Sequence, residues 1–289
     1  MSDLICLLND KFILKKDAVI SCDDRGFLLS DGLFETMRCH NGNIVSLEEH
    51  IERLNTGLSV LKIKHDFPFC FFVEKIKKLL DFNKFNDKDV VVRLTVTRGV
   101  SNRGVLPSEN CEPTILLTMT EITAKTPDFF NVIISEIIKN EHSKLTKFKS
   151  LNYLDSILAK IEASDNGCDD GIFLNTKGNV SDSSIANVFI VINDGTVLTP
   201  KLDDGALNGI TRKNVIRICK ESKINVKEAS ITKCELLSSK EVFLTNSVFG
   251  VVPVMSIDGV STARGHVTTK FLKEKYDDVV NYKYFYGNC

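Results

Sequence analysis

The chain has 289 residues, 43% of them apolar, and a formal net charge of −1 at pH 7. That is enough to bury a large core in one or two globular domains, and it lacks the basic excess that marks a nucleic-acid or anionic-membrane partner. The nine cysteines are odd in number, scattered and free of any Cys-x-x-Cys pair, which predicts reduced thiols rather than a disulfide framework or a zinc site. His40, His50, His65, His142 and His266 show no metal-ligand spacing, so no metal is expected. No apolar run approaches the ~18 residues of a membrane span, and the start of the chain lacks a basic-then-apolar signal pattern. A cytoplasmic protein without a membrane segment is the expectation.

Leu4 to Leu14 reads as a hairpin turning at Asn9-Asp10. The stretch Asp24-Arg25-Gly26 to Asp31-Gly32 reads as loop, and Leu33 to Cys39 as a strand ending at the Asn41-Gly42 turn. Ser46-Leu47-Glu48-Glu49 has the form of a capping box. The helix it opens carries Leu47, Ile51, Leu54, Leu58 and Leu61 on one stripe, with His50 and Arg53 at its flank. A second helix is predicted over Phe69 to Phe82, then strands over Val90 to Arg98 and Thr114 to Thr120. Residues 122–128 contain a proline and no periodicity and are read as a linker. It separates a small N-terminal α+β domain, residues 1–121, from a larger C-terminal domain, residues 129–289.

Beyond the linker, Val132 to Ile138 reads as a strand. Lys149 falls just before a helix whose apolar positions are Leu151, Leu154, Ile157, Leu158 and Ile161, ended by Gly167. Short strands follow at Gly171 to Leu174, Val188 to Ile192, Thr196 to Thr199, Asn225 to Glu228, Val242 to Thr245 and Val251 to Ile257. Helices are predicted over Thr211 to Glu221, Thr232 to Ser238 and His266 to Val279. Many short strands with few long helices predict a sheet-rich, barrel-like domain. Asp182 is placed on a loop before a strand. Gly209-Ile210-Thr211 opens a helix whose unpaired first N–H groups suit a phosphate. The aromatic run from Tyr282 to Tyr286 has no periodicity.

Neither Gly-x-Gly-x-x-Gly nor Gly-x-x-x-x-Gly-Lys-Ser/Thr occurs, and no nucleophile–histidine–acid set stands out. A lysine at a loop-to-helix junction, an acid and a phosphate-binding helix start remain. Pyridoxal phosphate needs an amine, an acid for its pyridinium proton and a phosphate site. With Asp24-Arg25-Gly26, Asp31-Gly32-Leu33-Phe34-Glu35-Thr36, Glu49-His50-Ile51-Glu52-Arg53-Leu54, Lys149-Ser150-Leu151-Asn152-Tyr153-Leu154, the Asp182 to Arg212 stretch and Thr245-Asn246-Ser247 in order, the chain from Ile5 to Ile257 resembles the class-IV (fold type IV) pyridoxal-phosphate enzymes. These include branched-chain aminotransferases, D-amino-acid aminotransferases and 4-amino-4-deoxychorismate lyases.

The resemblance implies pyridoxal 5'-phosphate as cofactor and an α+β fold with a small N-terminal α/β sandwich and a larger barrel-like domain. It also implies a homodimer acting on a small molecule. Lys149 resembles the Schiff-base lysine, and Arg53 the phosphate-gripping arginine. Ile210, Thr211 and Ser247 resemble further phosphate contacts. Asp182 stands where the family has its pyridinium-binding glutamate, one methylene longer. The tyrosine, arginine and histidine with which D-amino-acid aminotransferases hold the substrate carboxylate correspond to Phe34, Arg103 and Val105, so only the arginine is kept. The Arg98-Gly99-x-x-x-Arg103-Gly104 loop, Leu207 to Arg212 and Val252-Pro253-Val254 look more like the lyases. A lyase making 4-aminobenzoate and pyruvate for folate synthesis is the first reading, and an aminotransferase for branched-chain or D-amino acids or amines the second.

Overall fold

The computed structural model describes residues 4–64, 68–262 and 265–282; His65 and the aromatic run at 283–286 lie outside them. The chain divides into two compact units. One takes the chain up to Lys125 together with Lys149–Leu151 and Asn281, the other Thr126–Phe148 and Asn152–Val280.

The first unit contains β1 (Ile5–Leu8), β2 (Lys11–Leu14), α1 (Arg25–Leu29), β3 (Gly32–His40), β4 (Asn43–Ile44), α2 (Leu47–Leu61), α3 (Phe69–Asn83), β5 (Asp89–Thr97) and β6 (Thr114–Glu121). Its six strands run in the order β2-β1-β6-β5-β3-β4, every pair antiparallel. Directly paired residues share a face, so the register places Leu33, Glu35 and Met37 with Val92, Leu94 and Val96, all buried. α2 packs on this face with Leu54 and Leu58 fully inserted, each worth ~2 kcal/mol. The opposite face carries Phe34, Thr36, Arg93 and Thr95.

Two local expectations fail here. Ser46 is the residue before α2, but it sits at φ +54° and makes no side-chain cap hydrogen bond, because the left-handed backbone turns its hydroxyl away from the first helical turn. The stretch after Asp24 is a short helix rather than loop, capped by the Asp24 carboxylate accepting from Gly26 N at 2.7 Å.

The second unit contains β7 (Phe130–Lys139), α4 (Leu154–Asp165), β8 (Asp170–Asn175), β9 (Val180–Ser183), β10 (Asn187–Val191), β11 (Val197–Pro200), α5 (Ile210–Glu221), β12 (Val226–Ala229), α6 (Lys233–Ser238), β13 (Glu241–Asn246), β14 (Gly250–Ile257), β15 (Val260–Ser261) and α7 (Val267–Asn281). Six strands form a ring, β10-β13-β14-β7-β8-β9, which closes where Asn187 of β10 pairs with Asp182 of β9. β14–β7 and β7–β8 are parallel, and the other ring pairs antiparallel. Alternate residues of each strand, among them Val132, Ile172, Val180, Val188, Leu244 and Val252, form one buried core, as a small barrel requires.

Asp182 is therefore inside a strand, not on a loop. The polar sequence Val-Ser-Asp-Ser has no apolar alternation to announce it. α4 starts at Leu154 and buries Ala159 and Ala163. Its apolar stripe, Leu154, Ile157, Leu158 and Ile161, is 48–72% exposed. The periodicity is present but faces outward within the chain. Among the described residues seven cysteines are free, while Cys70 is disulfide-bonded, so thiols throughout is not what the structure shows. Among the described residues, too, no helix is long and apolar enough to cross a membrane.

Candidate active site

The Lys149 segment pairs with the open edge of β3 through an antiparallel bridge between Leu33 and Ser150. Phe34 N donates to Lys149 O at 2.9 Å, and Leu151 N donates to Gly32 O at 3.0 Å. This pairing, more than a hundred residues apart in sequence, sets the lysine against Phe34, with Nζ 4.5 Å from the ring centroid. The guanidinium of Arg93 lies 3.9 Å from the same centroid. Two cations thus share the electron-rich ring of one buried phenylalanine.

On the other face of β3, Glu35 is an acid among apolar neighbours and needs paired partners to stay charged there. α2 supplies them. Arg53 donates from Nε to Oε1 at 2.8 Å and from a terminal nitrogen to Oε2 at 2.6 Å. His50 Nδ1 lies 2.7 Å from Oε2. Burial raises the Glu35 pKa, but the charges of Arg53 and His50 and their hydrogen bonds outweigh it and hold it at about 2. Burial lowers the His50 pKa, assisted by Arg53 and Lys149 and opposed by Glu35. The ring is therefore neutral at pH 7, with Nδ1–H donating to the carboxylate. The bidentate grip fixes the Arg53 fork in one orientation.

In the second unit, Asp182 is buried at the seam of the ring. Its Oδ1 accepts from Asn187 Nδ2 at 2.8 Å and its Oδ2 from Leu207 N at 2.7 Å. Burial pushes its pKa up to about 6, against the lowering effect of Lys139, Leu207, Asn187 and Arg212. Asn187 also donates to Leu207 O at 2.8 Å, so one side chain ties the acid to the segment leading into α5. Gly209, the residue before α5, provides no side-chain cap, which leaves the first N–H groups of Ile210 and Thr211 without one. The Thr211 hydroxyl is buried, 3.2 Å from Tyr276 OH. Ser247 follows β13 on a turn that Asn246 shapes by accepting from Val248 N at 2.9 Å and Phe249 N at 3.0 Å.

Arg103 and Val105 stand on the exposed loop between β5 and β6, with Val105 85% exposed. The sequence reading missed Glu35 and Arg93. Glu35 carried a signal, since an acid in phase with Leu33 and Met37 on a strand demands a buried cation. Arg93 carried none, because a charged residue on the polar side of an alternating strand reads as solvent-facing.

A family model for class IV amino-transferases matches residues 32–257. A Methanocaldococcus jannaschii protein provisionally described as a branched-chain-amino-acid aminotransferase is 37% identical over 279 residues, covering 94% of this chain and 95% of that protein. An aminodeoxychorismate lyase of Bacillus subtilis is 32% identical over 255 residues, covering 88% and 87%. A T.th. branched-chain amino acid aminotransferase, solved with pyridoxamine 5'-phosphate, superposes with a TM-score of 0.89 at 26% identity and covers 97% of this chain and 95% of its own. The chain belongs to the class IV amino-transferase family, and its fold is fold type IV.

Proposed function

We propose that the protein is a pyridoxal-phosphate-dependent lyase that converts 4-amino-4-deoxychorismate to 4-aminobenzoate and pyruvate. Pyridoxal 5'-phosphate is the cofactor of the family to which the chain belongs, and the residues present fit it. A buried carboxylate with its pKa raised to about 6, accepting two N–H hydrogen bonds among the described residues, suits a pyridinium cation. An uncapped helix start suits a phosphate. The observation that carries the lyase reading is Arg93. The substrate has two carboxylates and no branched aliphatic side chain. A guanidinium beside Phe34 and Lys149, with Arg103 on the loop as a second, matches two carboxylates, whereas an aliphatic group calls for an apolar wall.

Bound cofactor supplies an electron sink for the carbon next to the substrate nitrogen. Lys149 takes the proton from that carbon on Nζ. Asp182 would keep the proton on the ring nitrogen, and Ile210, Thr211, Ser247 and Arg53 would hold the phosphate. Arg93 and Arg103 would orient the two carboxylates so that the C–O bond to the enolpyruvyl group breaks as the carbocycle becomes aromatic, and the proton held on Lys149 Nζ would pass to the departing enol carbon to give pyruvate. Product formation in this way would place the protein in folate synthesis.

An aminotransferase is the second reading, favoured by the 37% identity to the M. jannaschii protein. A single assay on the cofactor-loaded protein separates the two. 4-Amino-4-deoxychorismate alone is expected to give 4-aminobenzoate and pyruvate in equal amounts. Turnover solely in a second arm, with branched-chain, D-amino acids or amines and a 2-oxo acid, would overturn the lyase.

We also infer that the protein is a homodimer in the cytoplasm. Support comes from the α4 stripe, where Leu154, Ile157, Leu158 and Ile161 repeat at i, i+3, i+4 and i+7 and remain uncovered. Light scattering is expected to give twice the chain mass, falling to one chain in an Ile157→Asp/Leu158→Asp variant. A wild-type monomer would refute the assembly.

A further inference from the structure

The loop between β5 and β6 is exposed at its tip yet tied down at three levels. At its base, a Cβ on Gly99 would lie 1.9 Å from Glu112 O, so the two ends of the loop meet through backbone. Above this, Ser101 Oγ accepts from Ser108 N at 3.1 Å and donates to Ser108 Oγ at 3.0 Å, forming a neck. At the tip, Arg25 donates to Gly104 O and to Val105 O, each at 2.7 Å. Its Nε donates to Asp31 Oδ2 at 2.8 Å.

Arg25 is 4% exposed, an unusual position for an arginine whose targets lie on an otherwise solvated loop. Both carbonyls immediately follow Arg103. Asp31 is itself held from the other side by Arg98, with bonds of 2.7 and 3.0 Å, and Arg98 donates in turn to Leu61 O and Lys62 O at the end of α2. The tip is thereby linked through two guanidinium groups and one carboxylate to the helix that carries Arg53.

We propose that Arg25 is a positioning residue that holds the loop tip so that Arg103 is preorganised for a substrate carboxylate. The inference rests on the reading of Arg103 as a carboxylate ligand. A planar fork can grip two successive carbonyls at once, which a lysine ammonium cannot do with the same geometry. Without the grip, the substrate must order the tip on binding, and that cost appears in KM rather than kcat.

The test compares the cofactor-loaded wild type with Arg25→Lys, Gly104→Ala, Arg103→Ala and Arg25→Lys/Arg103→Ala. Arg25→Lys keeps a cation against the half-buried Asp31. Gly104→Ala leaves that pair intact but strains φ +137°, where an added Cβ meets nothing within 4 Å, and so redirects the carbonyl alone. The measurements are kcat and KM for 4-amino-4-deoxychorismate, and the rate of tryptic cleavage after Arg103. Arg25→Lys and Gly104→Ala are each expected to raise KM about tenfold with kcat nearly unchanged and to speed cleavage. The double variant is expected to match Arg103→Ala, because both changes act through one contact.

Unchanged cleavage in Arg25→Lys and Gly104→Ala, or KM effects that multiply in the double variant, would overturn the positioning role while leaving Arg103 as ligand. An Arg103→Ala protein with wild-type KM would overturn the ligand reading and the inference with it. If the wild type does not turn over this substrate, the lyase reading falls, and the cleavage rates alone decide whether Arg25 holds the tip.

Discussion

The Lys149→Ala variant is expected to lose turnover by about 10⁴-fold or more, since no other group supplies both the amine for the cofactor and the base for the substrate carbon. It is also expected to lose the near-visible absorption of a lysine bound to pyridoxal phosphate. The fold should survive. The segment is held to β3 through Lys149 O and Leu151 N, which alanine keeps, and the contact of Nζ with the Phe34 ring is worth only ~0.5–1 kcal/mol. Turnover, absorption and thermal unfolding are measured on one preparation. A folded variant retaining more than about a tenth of wild-type activity would remove Lys149 from the chemistry.

Asp182→Asn is expected to separate catalysis from stability. The amide cannot balance a pyridinium charge, so turnover should fall about 10²–10³-fold. Stability of the cofactor-free protein should respond differently. Folded Asp182 has its pKa raised to about 6 by burial, whereas an unfolded aspartate titrates near ~3.9. Between these values the folded state binds more protons than the unfolded state, so stability falls as pH rises through the window. The full cost, ~3 kcal/mol for a shift of about two pH units, applies above pH 6 and is absent below about pH 4. Asparagine removes that slope. It also offers a single acceptor to the two donors Asn187 Nδ2 and Leu207 N, a loss of ~1–2 kcal/mol. Urea titrations at pH 4.5 and pH 7.5 should therefore show the variant weaker than wild type at the lower pH and more stable than wild type, by ~1–2 kcal/mol, at the higher. An unaltered pH slope would mean that Asp182 is not the titrating group, and wild-type turnover would take it out of the cofactor site.

Much of the first unit was legible because β3, β5 and α2 are amphipathic at their own periods, and each buries the stripe its sequence advertises. The capping box at Ser46 failed because the cap depends on the φ of one residue, which the pattern Ser-x-x-Glu does not encode. β9 was invisible for a different reason: four residues with two serines and an aspartate owe their strand to the neighbours they pair with. α4 shows a third limit. Its period was plain in the sequence, but periodicity says that a face is apolar and not whether this chain covers it. Lys149, Arg53 and Asp182 stood out as candidates only through the order of their motifs. What sets them in place was not: the edge of β3 for Lys149, Glu35 for Arg53, and Asn187 for Asp182 are all partners that no motif announces.

The bridge that Lys149–Leu151 makes to β3 also bears on how such a chain can be divided or recombined. The segment's backbone bonds go to Gly32 and Phe34, and it belongs to the first unit, although the chain on either side of it belongs to the second. A gene fragment ending at Lys125 would carry the loop between β5 and β6, Arg25 and the Glu35–Arg53 pair, but it would leave the start of β3 unpaired on its outer edge and lack the amine. The complementary fragment would own the lysine in its sequence with no β3 to dock it. The two units are thus modules in space but not in the gene. A crossover that exchanges one of them intact between relatives must carry this short segment separately or find a recipient β3 that accepts it.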